Sequence, residues 1–248
     1  MKIIINPGHS LNGCPDPGAC ANDHRESDIT AEISYFIKVF LDSEKYSNLN
    51  VDIMQQSDTI NSNAQLNALI KNINKAKADL LVSVHLNSAT NTSAHGSETL
   101  YFAESSKGKV LATKVQKEMG SITQIFNRGI KQDTRGLAVL KRTNMPACLV
   151  EVGFISNKSD INNILKYKLN IAKAISCGII NYLKDQKLLI EKHSDTSENT
   201  ELSNIRLPRI ELIPENNKYN CYIDGEIKLK NNKLSTCLNW LKGQSYVL

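Results

Sequence analysis

Residues 80–86 read LLVSVHL, and this stretch decides the fold. Leu80, Leu81, Val82, Val84 and Leu86 form a near-continuous apolar run, the pattern of a strand covered on both faces. A second such run, KIII at 2–5, closes on Asn6-Pro7-Gly8 and predicts a short buried strand followed by a turn. A third apolar run, ACLVEV, lies at 147–152. Between these runs the period changes. With Ser27 or Asp28 as N-cap, Ile29, Ile33, Phe36, Ile37, Phe40 and Leu41 recur at helical spacing. Further helices are predicted over about 61–77, 105–120, 159–166 and 169–187, and further strands at 51–54, 98–102 and 137–140. Residues 11–25 read as loop. Strands alternating with helices predict an α/β fold, a mostly parallel twisted sheet with helices on both faces.

The rest of the chain sets bounds on function. It has 248 residues, 41% hydrophobic and 22% charged, which excludes wholesale disorder. Aromatics at 6% and a single Trp, Trp240, are thin for a binder built on stacking. The net charge of +5 suits weak attraction to an anionic polymer but falls short of a nucleic-acid footprint, so no nucleic-acid partner is expected. No apolar run approaches the ~18–20 residues that span a bilayer. Ile3–Ile5 is shorter than the ~7–15-residue core of a signal peptide, so cytoplasmic synthesis without one is expected. Six cysteines occur with no CxxC pair. Cys148 and Cys177 read as small buried residues. Cys14 and Cys20 flank a Pro/Gly-rich loop and are expected as reduced thiols, with a disulfide as the alternative.

Three segments are expected: a main domain at 1–187, a polar acidic linker at 188–204, and a small C-terminal α+β module at 205–248. The linker sets Lys192 against Glu191, Asp195, Glu198 and Glu201, and its only apolar residue past 190 is Leu202. In the module, Tyr219–Ile223 and Glu226–Leu229 flank Asp224-Gly225, a hairpin signal, and 235–241 suits a short helix. So small a piece is marginal alone and is expected to dock, to self-associate as a homo-oligomer contact, or to bind a partner.

In parallel sheets, functional residues gather at the carboxyl ends of strands. His9 follows strand one, His85 ends the strong strand, and Glu151 ends the last, so all three are predicted on one rim. Each has a plainer explanation. His9 suits a surface turn. His85 suits a core histidine with satisfied nitrogens. Glu151, between Val150 and Val152, suits a buried ion pair with Arg128 or Arg135. If unpaired, it must bind a metal or titrate high. Glu26, at the mouth of the first helix, suits dipole compensation. Together, however, two histidines and a glutamate are the ligand set of a catalytic zinc with an open fourth position, and a second glutamate nearby can act as general base.

The segments IIINPGHS, HRESDIT, LLVSVHLNS, HGSETLYF, NRGIKQD and MPACLVEVGFISN, in this order and at these separations, resemble the zinc-dependent N-acetylmuramoyl-L-alanine amidases of the type-3 amidase family, including endolysin-like members. The resemblance covers about residues 1–187. It implies Zn²⁺ bound by His9, Glu26 and His85, with Glu151 as the catalytic carboxylate and general base. It also implies peptidoglycan as substrate, cleaved between N-acetylmuramic acid and L-alanine. Asn87 and Arg135 are weaker candidates for substrate contacts. Glu32 cannot replace Glu26, because six helical steps of ~100° turn it about 240° away. Asn6 stands where the family often has Asp, and Ser10 where it often has Gly. Action on the cell wall after holin-type or lytic release is the expected setting. The competing readings are another zinc peptidase of carboxypeptidase-like type and a non-catalytic wall-binding module.

Overall fold

The computed structural model describes residues 1–10, 13–56 and 62–191, and beyond them the strand segments 210–215, 218–223 and 226–232. In chain order the first unit comprises β1 (Lys2–Pro7), β2 (Cys20–Ala21), β3 (His24–Arg25), α1 (Glu26–Asp42), β4 (Asn50–Ile53), α2 (Ser62–Lys75) and β5 (Leu80–Asn87). There follow β6 (Ser97–Tyr101), α3 (Ser106–Met119), β7 (Asn127–Gln132), α4 (Ala138–Lys141), β8 (Ala147–Phe154), α5 (Lys158–Lys166) and α6 (Lys168–Asp185). The main sheet has the order β4-β1-β5-β8-β6-β7. All neighbours run parallel except β6 and β8, which are antiparallel. This is the expected α/β architecture, with the β6–β7 pair reversed relative to the other four strands.

Strand alternation assigns the faces. Ile4, Leu81, Leu100 and Leu149 pack with Leu69 and Ile73 of α2 and with Val139 and Leu140 of α4. On the other face, α1 packs on β1, β4 and β5, α3 packs on β6, β7 and β8, and α6 lies across α1 and α3. Moving toward the carboxyl end of β5 on the α2 side, Leu81 gives way to Ser83 and then His85. On β8, Leu149 gives way to Glu151. The same sheet face that holds a core in its middle therefore carries ionisable groups at its rim.

Two expectations are corrected. Residues 137–140 were expected as a strand, but Ala138–Lys141 form a helical turn. Asp133 accepts from the backbone N–H groups of Arg135 and Leu137 at 2.9 and 2.7 Å, which bends the chain into that turn. A four-residue apolar run fits either structure, and this tertiary bond decides. The strand that does form is β7, an edge strand with half-buried to exposed side chains and hence no apolar alternation to read. Residues 188–191 stay on this unit: Asn48 Nδ2 donates to the Leu188 carbonyl, and Lys45 pairs with Glu191 at 2.7 Å.

A second unit spans Lys192–Leu248. Within it β9 (Ile210–Glu215), β10 (Lys218–Ile223) and β11 (Glu226–Asn232) form an antiparallel sheet, with Ile223 opposite Glu226 as the hairpin signal required. The expected turn at 224–225 and helix at 235–241 lie outside the described residues. No helix among the described residues is long and apolar enough to cross a membrane.

Candidate metal centre

The turn after β1 brings His9 to the rim. Gly8 donates its N–H to the Val84 carbonyl at 2.8 Å, and His9 then takes a left-handed backbone (φ 65). Non-glycine residues seldom hold this conformation, and it costs of order 1–3 kcal/mol. Gly8 permits close packing: a Cβ there would lie 2.5 Å from His85 Cε1. The imidazoles of His9 and His85 meet edge-on, with centroids 5.0 Å apart.

Glu26 opens α1 between them. One carboxylate oxygen, Oε1, lies 2.9 Å from His85 Nδ1 and accepts the Leu86 N–H at 2.9 Å. The other, Oε2, lies 3.0 Å from His9 Nε2 and accepts the Ala19 N–H at 2.9 Å. Burial alone would raise this carboxyl's pKa, but the two histidines hold it far below the usual carboxylate range. Burial likewise opposes a charge on His9, yet Glu26 and Asp16 outweigh it and lift its pKa to about 9. Asp16 Oδ1 sits 3.0 Å from His9 Nδ1, off the axis of an ideal ring N–H bond.

One donor atom from each of His9, Glu26 and His85 lies within 4.8 Å of the others. Two imidazoles and a carboxylate, poised at this spacing and partly open, are the donor set of a catalytic zinc. The residues therefore fit such an ion. Glu32 pairs with Lys168, and among the described residues neither it nor His24 belongs to the cluster.

Glu151 stands beside them, its register partner in β5 being His85. It is 5% exposed, and burial pushes its carboxyl up, with His85 and Arg135 opposing and Glu26 adding to the rise. Arg135 Nη2 lies 3.4 Å from Oε1, whereas Oε2 is buried with no hydrogen-bond partner among the described residues. Between the two arginines considered for this carboxylate, Arg135 reaches it and Arg128 turns instead to Glu98.

A profile described as N-acetylmuramoyl-L-alanine amidase matches residues 3–181. The chain belongs to the N-acetylmuramoyl-L-alanine amidase family. It is 31% identical over 186 residues to N-acetylmuramoyl-L-alanine amidase LytC of Bacillus subtilis, covering 73% of this chain and 35% of that protein. It is 34% identical over 194 residues to the endolysin of Bacillus phage SPP1, covering 75% of this chain and 67% of that one. The crystal structure of N-acetylmuramoyl-L-alanine amidase from Clostridium difficile 630 superposes with a TM-score of 0.66 at 31% identity, covering 75% of this chain and 97% of that one. This amidase-family chain thus spans about a third of the length of the LytC relative.

Within the amidase domain, the other two expected site residues are already engaged. Asn87 donates through Nδ2 to Glu98 at 3.2 Å and accepts the Ser88 N–H on its side-chain oxygen. Arg135 is held at Glu151 and is 52% exposed. Sequence reading did not single out Asp16, which touches His9 across a loop, or Glu98, which lies opposite Glu151 in β6. Neither stood out locally: Asp16 lies in a polar loop, and Glu98 sits between the polar Ser97 and Thr99.

Proposed function

We propose that this chain is a zinc-dependent peptidoglycan amidase that hydrolyses the bond between the lactyl group of N-acetylmuramic acid and L-alanine, with Glu151 as general base. The observation that carries the reading is Oε2 of Glu151, buried and without a hydrogen-bond partner among the described residues, next to a His-Glu-His cluster. His9, Glu26 and His85 would hold the zinc, which when bound lowers the pKa of water and polarises a carbonyl. The remaining steps belong to the chain. Glu151 takes a water proton at Oε2 while the Arg135 guanidinium steadies Oε1. The water oxygen bonds to the carbonyl carbon, the C–N bond breaks, and Glu151 returns the proton to the leaving nitrogen. The products are a lactyl carboxylate and a peptide with a free L-alanine amine. The high proton affinity that burial gives Glu151 suits the second half of this cycle.

Peptidoglycan as substrate and the cell wall as the place of action draw support from the family and from the endolysin relative. For the unit beyond Glu191 we propose wall targeting or self-association. Mass spectrometry of digested muropeptides tests the reaction: new peptides beginning with L-alanine are expected. Chelation should abolish their release and added zinc restore it. Glu151→Gln should slow release about 10²–10⁴-fold. Parent-rate cleavage by that variant would remove the base assignment.

A further inference from the structure

Glu98 pairs directly opposite Glu151 on β8, and Glu151 directly opposite His85 on β5. Directly opposed residues share a sheet face, so His85, Glu151 and Glu98 form one row along the rim. Glu98 is 9% exposed, and both its oxygens are occupied. Oε1 accepts from Asn87 Nδ2 at 3.2 Å, and Oε2 accepts from Arg128 Nε at 2.7 Å. Arg128 is fixed again by Nη1, which donates to the His95 carbonyl at 3.2 Å, and by the Phe154 ring, whose centroid lies 5.1 Å from its Cζ. Its Nη2 has no partner among the described residues, and its side chain is 34% exposed.

As a stabilising device such a pair is poor, since burying the carboxylate costs about as much as the pairing returns. What the pair does provide is a guanidinium locked in place with donors still facing solvent. A preorganised fork of this kind recognises a carboxylate at little entropic cost. Arg135, half-exposed and in contact with Glu151, adds a second positive charge to the rim.

We propose that Arg128 is the receptor for a stem-peptide carboxylate, with Glu98 and Asn87 as its positioning residues. The carboxylate assigned is one carried by the residue that follows L-alanine. The proposal rests on the amidase reading, because that reading sets the direction of the substrate. Glu151 hands its proton to the leaving nitrogen, so the leaving peptide lies on the side of Glu151 away from His9 and His85. In the sheet order, the strands on that side are β6 and then β7, where Arg128 sits. From β8 to β7 is two strand spacings, about 10 Å. Two residues of extended peptide span about 7 Å, and a carboxylate on the second covers the remainder.

The test uses two N-acetylmuramoyl tripeptides that differ only in an α-carboxylate or an α-carboxamide on the second residue. The wild-type enzyme should prefer the acid form. Arg128→Ala should lose tenfold or more in kcat/KM on the acid, through KM, and less than threefold on the amide. An R128Q/E98Q double variant, which leaves no buried carboxylate unpaired, should show the same selectivity at wild-type zinc content and thermal midpoint. Equal losses on both substrates, or no loss on either, overturn the assignment of Arg128. A wild-type enzyme that cleaves neither tripeptide overturns the amidase reading itself, and with it the proposal.

Discussion

A carboxylate that receives two imidazoles and two backbone N–H groups, as Glu26 does, makes the centre depend on pH even without metal. The folded His9 has its pKa raised from 6.5 to about 9. Its share of stability is therefore complete below about pH 6.5 and is lost as pH rises through 9, with a slope of at most about 1.4 kcal/mol per unit. Glu26 is depressed, so its share is present above the usual carboxylate range and is lost as pH falls through it. Urea denaturation of the metal-free protein should give a higher stability near pH 6 than near pH 9.5. A flat or rising profile between those points would contradict the charged His9–Glu26 contact. Zinc needs both imidazoles uncharged, so metal affinity should move the opposite way and strengthen as pH rises.

Among the elements, α5 shows how the rim is held together. Its N-cap, Asn157, accepts from Ser159 and Asp160 N–H groups, which sets Asp160 in the first turn. Asp160 Oδ2 then accepts from Gly96 N–H at 2.7 Å, just before β6, and from Phe154 N–H at 2.8 Å, at the end of β8. One buried side chain thereby joins the two strands that carry Glu98 and Glu151. Asp160→Ala leaves two buried donors unsatisfied and should cost about 2–4 kcal/mol in denaturant midpoint at constant slope. Asp160→Asn keeps an acceptor oxygen and should cost distinctly less; equal losses would show that packing, not these two bonds, sets the cost. The elements also mark how much the sequence disclosed. β1, β5 and β8 were legible because burial on both faces demands continuous apolar runs. β7 was not, because an edge strand with exposed side chains carries no such pattern, and Leu137–Leu140 were misjudged because Asp133 decides their shape from outside the run.

At the scale of the whole molecule, His85 and Glu151 stood out as polar residues inside apolar strands, whereas His9 in a turn and Glu26 at a helix mouth were marked by the family resemblance. Asp16, and the pairing of Glu98 with Arg128, could not be read, because those contacts exist only after loops and strands distant in sequence close on one another. The reversed direction of β6 has a further consequence. β5 leaves the sheet at the rim, and β6 enters the sheet at that same rim, so the connection 88–96 begins and ends beside the chemistry without crossing the fold. It is anchored near its ends by Ala89 on Ser156 and by Gly96 on Asp160, while Thr90 and Asn91 are exposed. Selection, or an engineer, can therefore alter its length without disturbing the strands it joins. Two glycines inserted at Thr90–Asn91 should leave the thermal midpoint within a few degrees while changing the preference among muropeptides. Collapse of the midpoint would show that the connection is structural. In this fold, the backward entry of β6 supplies a place where substrate range can evolve separately from foldedness.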